Sequence, residues 1–150
     1  MSLAAHLTRQ HQRLEALVTS LLEEREALIP GQIDGQRLNG IATIKQELLA
    51  ELDQLEAQRR KAQHKLGYAD GLSGAEEAAR DYDCLGEWSK MRELTERARR
   101  LNELNGELIQ GRLRLNQRTL NFLHDVTGKT LYGPDGQAPR QRFANVSSKV

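Results

Sequence analysis

Four histidines and one cysteine are the side chains here with the most evident chemistry, and their spacing denies them partners. His6, His11, His64 and His124 are scattered. A di-iron helical bundle sets Glu three residues before His on one helix face, but Leu3, Thr8, Lys61 and Asn121 hold that offset. Cys84 has no second thiol for a disulfide or a zinc site. As a nucleophile it needs a lowered pKa, and Asp81, Asp83 and Glu87 push it the other way. Gly-rich phosphate loops, nucleophile elbows and paired catalytic carboxylates are missing. We therefore expect no enzyme, no metal and no cofactor. Arg112, Arg114 and Arg118 form the best basic cluster, yet Glu107 and Asp125 flank it and no aromatic is interleaved for base stacking. Arginine stems covering apolar surface are the expected use, and a net charge of +1 gives no bulk attraction to nucleic acid.

The elements that would position any site are helical. Only 38% of the residues are hydrophobic and 4% aromatic against 29% charged, which fits long helices with narrow apolar seams better than a thick core. At 150 residues one domain is expected, large enough to fold without disulfides or metals. The start, Met1-Ser2-Leu3-Ala4-Ala5-His6, has neither a basic n-region nor an apolar h-region, and no run approaches the ~20 apolar residues that span a bilayer. A cytoplasmic protein without stable membrane insertion is the expectation.

The period predicts a first helix over about 3–28, with Leu3, Leu7, Leu14, Leu17, Val18, Leu21, Leu22 and Leu28 on one face. Pro30-Gly31 should stop it. A second helix follows over about 36–66, capped by Asp34, with Ile41, Ile44, Leu48, Leu52, Leu55, Ala62 and Leu66 as its seam and Gly67 just past its end. Arg59-Arg60-Lys61 reads as part of its solvated outer face. Ser73-Gly74-Ala75-Glu76 reads as a capping box that starts a short helix over about 75–82. The third long helix is expected over about 86–126, with Trp88 and Met91 in its core. Asn105-Gly106 and Gly111 argue for a break, each glycine costing ~1 kcal/mol relative to alanine. The seven-residue step through Leu94, Leu101, Leu108, Leu115 and Phe122 nevertheless keeps its phase, so the helix is expected to be continuous. Residues 128–150 should hold a cap at Gly128, a type I turn over Gly133-Pro134-Asp135-Gly136 and a flexible polar tail.

These lengths predict an all-α, antiparallel bundle of three long helices plus one short helix. At 1.5 Å per residue the long helices span roughly 39, 45 and 60 Å, so the last should protrude at its C-terminal part. There Leu115, Phe122 and Val126 continue the main seam, while Leu113, Leu120 and Leu123 form a second row beside it. Two rows imply contacts on two sides: one with the bundle, one with a partner's amphipathic helix. The alternatives are a first helix bent over this end, or a weak homo-oligomer. Asn105, Arg112 and Thr119 fall where a stable coiled coil would place leucine, and such polar residues set register or partner choice.

Leu104-Asn105-Gly106-Glu107-Leu108-Ile109, then Leu115-Asn116 and Leu120, then Leu131-Tyr132-Gly133-Pro134-Asp135-Gly136-Gln137, resembles the FlgN family of flagellar export chaperones. The length and the leucine-rich first helix are compatible with it over the whole chain. The resemblance implies a cytoplasmic chaperone of flagellar type III secretion. It would bind C-terminal helical segments of the hook-associated (hook–filament junction) proteins, prevent their premature association and deliver them to the export gate. It also implies a client-binding role for Leu108, Ile109, Leu113, Leu115, Leu120, Phe122, Leu123 and Val126. Leu131 and Tyr132 match the tail motif, Tyr132 either contacting the export gate or packing on the helix. A structural coiled-coil adaptor, self-associating through the Leu94–Phe122 seam, is the alternative reading.

Overall fold

A computed structural model of the chain describes residues 2–29, 31 and 33–127, the side chains of Asn116 and Thr127 excepted. The expected stop at Pro30, the cap at Gly128, the turn at 133–136 and the Leu131–Tyr132 motif lie outside the described residues. Four helices make up the fold, with no strand among the described residues: α1 (Leu3–Ala27), α2 (Gly35–Lys65), α3 (Leu72–Asp81) and α4 (Leu85–Thr127). α4 is unbroken through Asn105, Gly106 and Gly111.

The helix ends follow local chemistry. Ser2 and Asp34 cap α1 and α2 by accepting from the backbone N–H of Ala5 and Arg37, both at 3.1 Å. At the end of α2, Gly67 takes φ +87°, and the N–H groups of Gly67 and Tyr68 donate back to His64 and Gln63 at 3.0 and 3.2 Å. This double closure satisfies two orphan carbonyls. α3 closes the same way around Asp83, at φ 55°, with the Cys84 N–H on the Ala79 carbonyl at 2.8 Å.

The start of α3 corrects the capping-box expectation. The helix begins at Leu72, three residues early, and its cap is Gly71 at φ +96° with no side-chain cap bond. Ser73 is therefore inside the first turn. Gln63 supplies what the serine does not: its amide donates to the carbonyls of Ala69 (2.5 Å) and Gly71 (3.1 Å), fixing the loop from α2. Tyr68 adds a second tie, donating to the Asp81 carboxylate at 2.7 Å, a bond that pushes its phenol up to about 12.

The chain divides into two compact units, Met1–Asn105 and Gly106–Val150. In the first, α2 runs antiparallel to α1, as His6 on the Leu55 carbonyl, Arg13 on Glu51 and Lys45 on Glu24 show in turn. The first part of α4 runs alongside α1 in the same direction, with Trp88 near Leu3 and Leu7 and Asn105 bonded at Leu21. The core joins Leu7, Leu14, Leu17, Val18 and Leu21 to Leu48, Ala75, Ala79, Cys84, Trp88, Met91, Ala98 and Leu101. Trp88 and Met91 are thus core, as expected. Leu22, assigned to the buried face of α1, is exposed.

The seam of α2 needs correction as well. Ile41, Leu48 and Leu55 are buried at seven-residue steps, but Ile44, Ala62 and Leu66 are exposed. Arg59 and Gln63 hold the buried positions instead, so Arg59 does not belong to the solvated face. Asn105 is buried rather than weak: its amide donates to the Leu21 carbonyl (2.9 Å) and to Glu24 (2.8 Å). Lys45 in turn donates to both Glu24 oxygens at 3.1 Å. A buried polar group with specific partners pins helix register, as single asparagines do in coiled coils.

Three glycine substitutions should act with two opposite signs. A Cβ on Gly74 would lie 1.7 Å from the Ala69 carbonyl oxygen, a backbone atom, so Gly74→Ala must displace the α2–α3 loop. We expect a net loss of about 1–3 kcal/mol, overpacking outweighing the helix-propensity gain. At Gly106 and Gly111 a Cβ meets nothing within 4 Å, so close packing does not explain them. Alanine there should gain about 0.5–1 kcal/mol each. Urea unfolding followed by circular dichroism measures all three, and a stabilised Gly74→Ala would contradict the clash.

Candidate functional site

The described part of the second unit is the helical stretch 106–127. At about 100° per residue, Leu108, Leu115, Phe122 and Val126 fall within some 40° of arc. Their exposures are 36%, 60%, 63% and 65%, whereas Leu101, one step earlier on the same seven-residue line, is 7% exposed. One heptad line therefore supplies core leucine in the first unit and an open apolar stripe in the second. Glu107, Arg118 and Asp125 border the stripe on one side, giving it a charged rim. Arg114 and Arg118 are exposed, in keeping with the solvated reading of the basic cluster.

The second expected row is different in kind. Leu113 and Leu120 of that row are half-buried, as is Ile109 beside them, while Leu123, assigned to the same row, sits between the two rows and is exposed. Of the expected client-facing residues, then, Leu108, Leu115, Phe122, Leu123 and Val126 present open surface and the other three do so only partly. Thr119 donates to the Leu115 carbonyl at 3.0 Å, turning its hydroxyl back onto the helix beside the stripe.

Sequence reading missed a second cluster, in the first unit. Arg59 donates to Glu56 and, at 2.6 Å, to Gln63, and its guanidinium lies 5.1 Å from the Trp88 ring centroid. Arg92 lies 6.0 Å from the same ring. Gln10 donates to Glu56 at 3.1 Å. Burial alone would raise the Glu56 carboxyl, but the bond and charge of Arg59, the Gln10 bond and the Arg60 charge outweigh it and hold the group below its ordinary value of 4.5. The available signal was that Glu56, Arg59 and Gln63 extend the Ile41–Leu48–Leu55 line at helical spacing, with polar residues where apolar ones were sought.

A depressed carboxylate stabilises the fold above its unfolded pKa, and that contribution is lost as pH falls through the folded value. Wild type should accordingly lose stability on acidification below about pH 4.5, and Glu56→Gln should lose less. Urea midpoints compared at several pH values test this. A constant difference between the two proteins across that window would refute it.

No group of three or more metal-capable side chains occurs among the described residues. His6 donates to the Leu55 carbonyl at 2.8 Å and His11 faces Glu15, so both are occupied structurally. Cys84 is fully buried; burial first, then Glu87 and Asp83, push its thiol up. The raising by neighbouring carboxylates was legible in the sequence, but the larger effect of burial was not.

A family profile described as "FlgN protein" matches residues 1–140. The "Flagella synthesis protein FlgN" of Salmonella typhimurium (strain LT2) is 39% identical over 124 residues, covering 83% of this chain and 81% of the relative. The protein of that name from Escherichia coli (strain K12) is 33% identical over 135 residues, covering 90% and 88%. The one from Proteus mirabilis is 31% identical over 138 residues, covering 92% and 90%. No solved structure matches the chain.

Proposed function

Since the chain belongs to the FlgN family, whose relatives carry the name of flagella synthesis proteins, we propose that it serves flagellum assembly as a cytoplasmic export chaperone. Its client is the C-terminal helical segment of a hook-associated protein. The observation that carries this reading is the open row Leu108, Leu115, Phe122 and Val126 on an unbroken helix. Such a row accepts an amphipathic helix through anchors at i, i+3, i+4 and i+7 spacing. Left uncovered, it is a hazard for association, both for this chain and for a client with a matching stripe.

The mechanism is coupled folding. A client segment that is unstructured alone bears its ordering entropy on binding, so affinity stays moderate and release at the type III export gate remains accessible. Ile109, Leu113, Leu120 and Leu123 border the stripe and extend the contact, and Leu131 and Tyr132 belong to the delivery step at the gate. No helix among the described residues is long and apolar enough to cross a membrane. The competing adaptor reading requires self-association along Leu94–Phe122. Leu101 is already buried in the first unit and Leu94 is packed against its core, which leaves Leu108, Leu115 and Phe122 of that seam available.

Calorimetry with the C-terminal segment of a hook-associated protein tests the proposal. One-to-one binding with a negative heat-capacity change and a gain in helical circular dichroism is expected. Absence of binding to every such segment, together with concentration-dependent dimerisation, would favour the adaptor.

A further inference from the structure

Two cavities of the first unit lie end to end between α2 and α4 and share Thr95 as a lining residue. The first, about 270 Å³, has Leu14, Leu17 and Leu21 of α1 as its floor and Leu49, Leu52 and Ala98 on its walls. Its floor is buried, while Leu49 on the rim is 45% exposed. The second, about 780 Å³, is lined by Glu56, Arg59 and Arg60 from α2 and by Trp88, Met91 and Arg92 from α4. Together they form a groove reaching from Trp88 to Asn102, roughly 21 Å or four helical turns. α1 floors the apolar cavity, while Asp70, Gly71 and Leu72 at the start of α3 bound the other, and the open side between α2 and α4 is the place that a fourth helix takes in a four-helix bundle.

The charge along the groove selects the occupant. Glu24 holds Lys45, and Glu96 and Glu103 hold Arg99, so the apolar end is electrostatically closed. At the Trp88 end Arg59 and Arg60 share the one carboxylate of Glu56, and Arg92 has no ion pair among the described residues. Asp70, which pairs with His64, lines this cavity too, so Arg59, Arg60 and Arg92 face the two carboxylates of Glu56 and Asp70 and the end keeps one net positive charge. The chain's own candidates do not match it: residues 106–127 carry Arg112, Arg114 and Arg118 against Glu107 and Asp125, and residues 128–150 carry Lys129, Arg140, Arg142 and Lys149 against Asp135. We propose that the α2–α4 groove is a docking site for an amphipathic helix of a different protein, apolar along one face and acidic at the end that meets Arg92. It is separate from the Leu108–Val126 stripe and does not depend on what that stripe binds.

Trp88 is the chain's one tryptophan and lines the groove, so its emission reports occupancy directly. The probe is a tryptophan-free helical peptide of about 18 residues, with leucines at i, i+3, i+4 and i+7 and glutamates at one end. A second peptide carries lysines in place of the glutamates. The acidic peptide should bind the full-length chain with a saturable Trp88 change, and the basic one at least about tenfold more weakly. Leu49→Glu and Arg92→Glu, both at exposed positions, should each weaken the acidic peptide about tenfold or more, with unchanged helical circular dichroism. The double variant Leu115→Asp, Phe122→Asp should bind it as wild type does. No Trp88 change, equal binding of both peptides, or insensitivity to both groove variants would overturn the proposal. So would loss of binding in the stripe variant, which would put the peptide on the other surface. Sedimentation showing a dimer that Leu49→Glu dissociates would assign the groove to a second copy and overturn it as well.

Discussion

Aspartate at both Leu115 and Phe122 is expected to weaken the binding of a hook-associated client segment by roughly 100-fold or more, with thermal unfolding nearly unmoved. The two effects separate because of where these side chains stand. At 60% and 63% exposure they contribute little to the folded chain's own packing, so their loss costs the free protein little. In a complex, each is an anchor whose burial is worth about 1.5–3 kcal/mol, and a carboxylate in its place adds a desolvation penalty. Even the lower bound summed over two anchors corresponds to a change of about two orders of magnitude. Calorimetric titration of wild type and variant against the same segment decides the matter. Affinity retained within about threefold would remove the stripe from the client interface, and a large fall in melting temperature would mean that these residues serve the fold instead.

Trp88→Ala should be the most damaging single truncation in the first unit, at about 3–5 kcal/mol. The indole is 6% exposed and belongs to a core cluster that draws residues from all four helices. It also supports the Arg59 guanidinium at 5.1 Å, so its removal opens a cavity and uncovers a buried cation together. In a chain of this size such a loss lowers the melting midpoint by about 10 °C. Trp88→Phe keeps a ring beneath the guanidinium and should recover much of the loss. Urea unfolding read by circular dichroism supplies the comparison. An alanine variant within about 1 kcal/mol of wild type would show that the core closes without the indole.

Much of the helical frame was legible because its determinants are local. Asp34 and Gly67 mark the ends of α2 through their own backbone preferences, and the seven-residue leucine step carried α4 through Asn105 and Gly106. The misreadings share a cause in contacts between distant segments. Ser73 and Glu76 satisfy the pattern of a capping box, but Gln63, reaching from another helix, fixes the loop so that α3 starts at Leu72. Arg59 has the composition of a solvent residue and is buried, because Trp88, from a distant helix, covers the guanidinium that Glu56 and Gln63 hold from its own helix. Asn105 looked like a weak point of the helix, yet its partners Leu21 and Glu24 lie more than eighty residues away. For the candidate stripe, periodicity supplied the residues; which row lies open depends on burial, which periodicity does not encode.

Cys84, fully buried and with its thiol held in the protonated form, is the chain's one cysteine and can serve as a clock. A thiol reagent reaches it only during transient openings of the first unit, so the labelling rate is the intrinsic rate multiplied by the fraction of time spent open. The clock sits in the first unit, whereas the proposed client stripe sits in the second. Labelling that slows when a segment bound at the proposed stripe is present would mean that occupancy of one unit tightens the other. An unchanged rate would mean that the two units keep separate time.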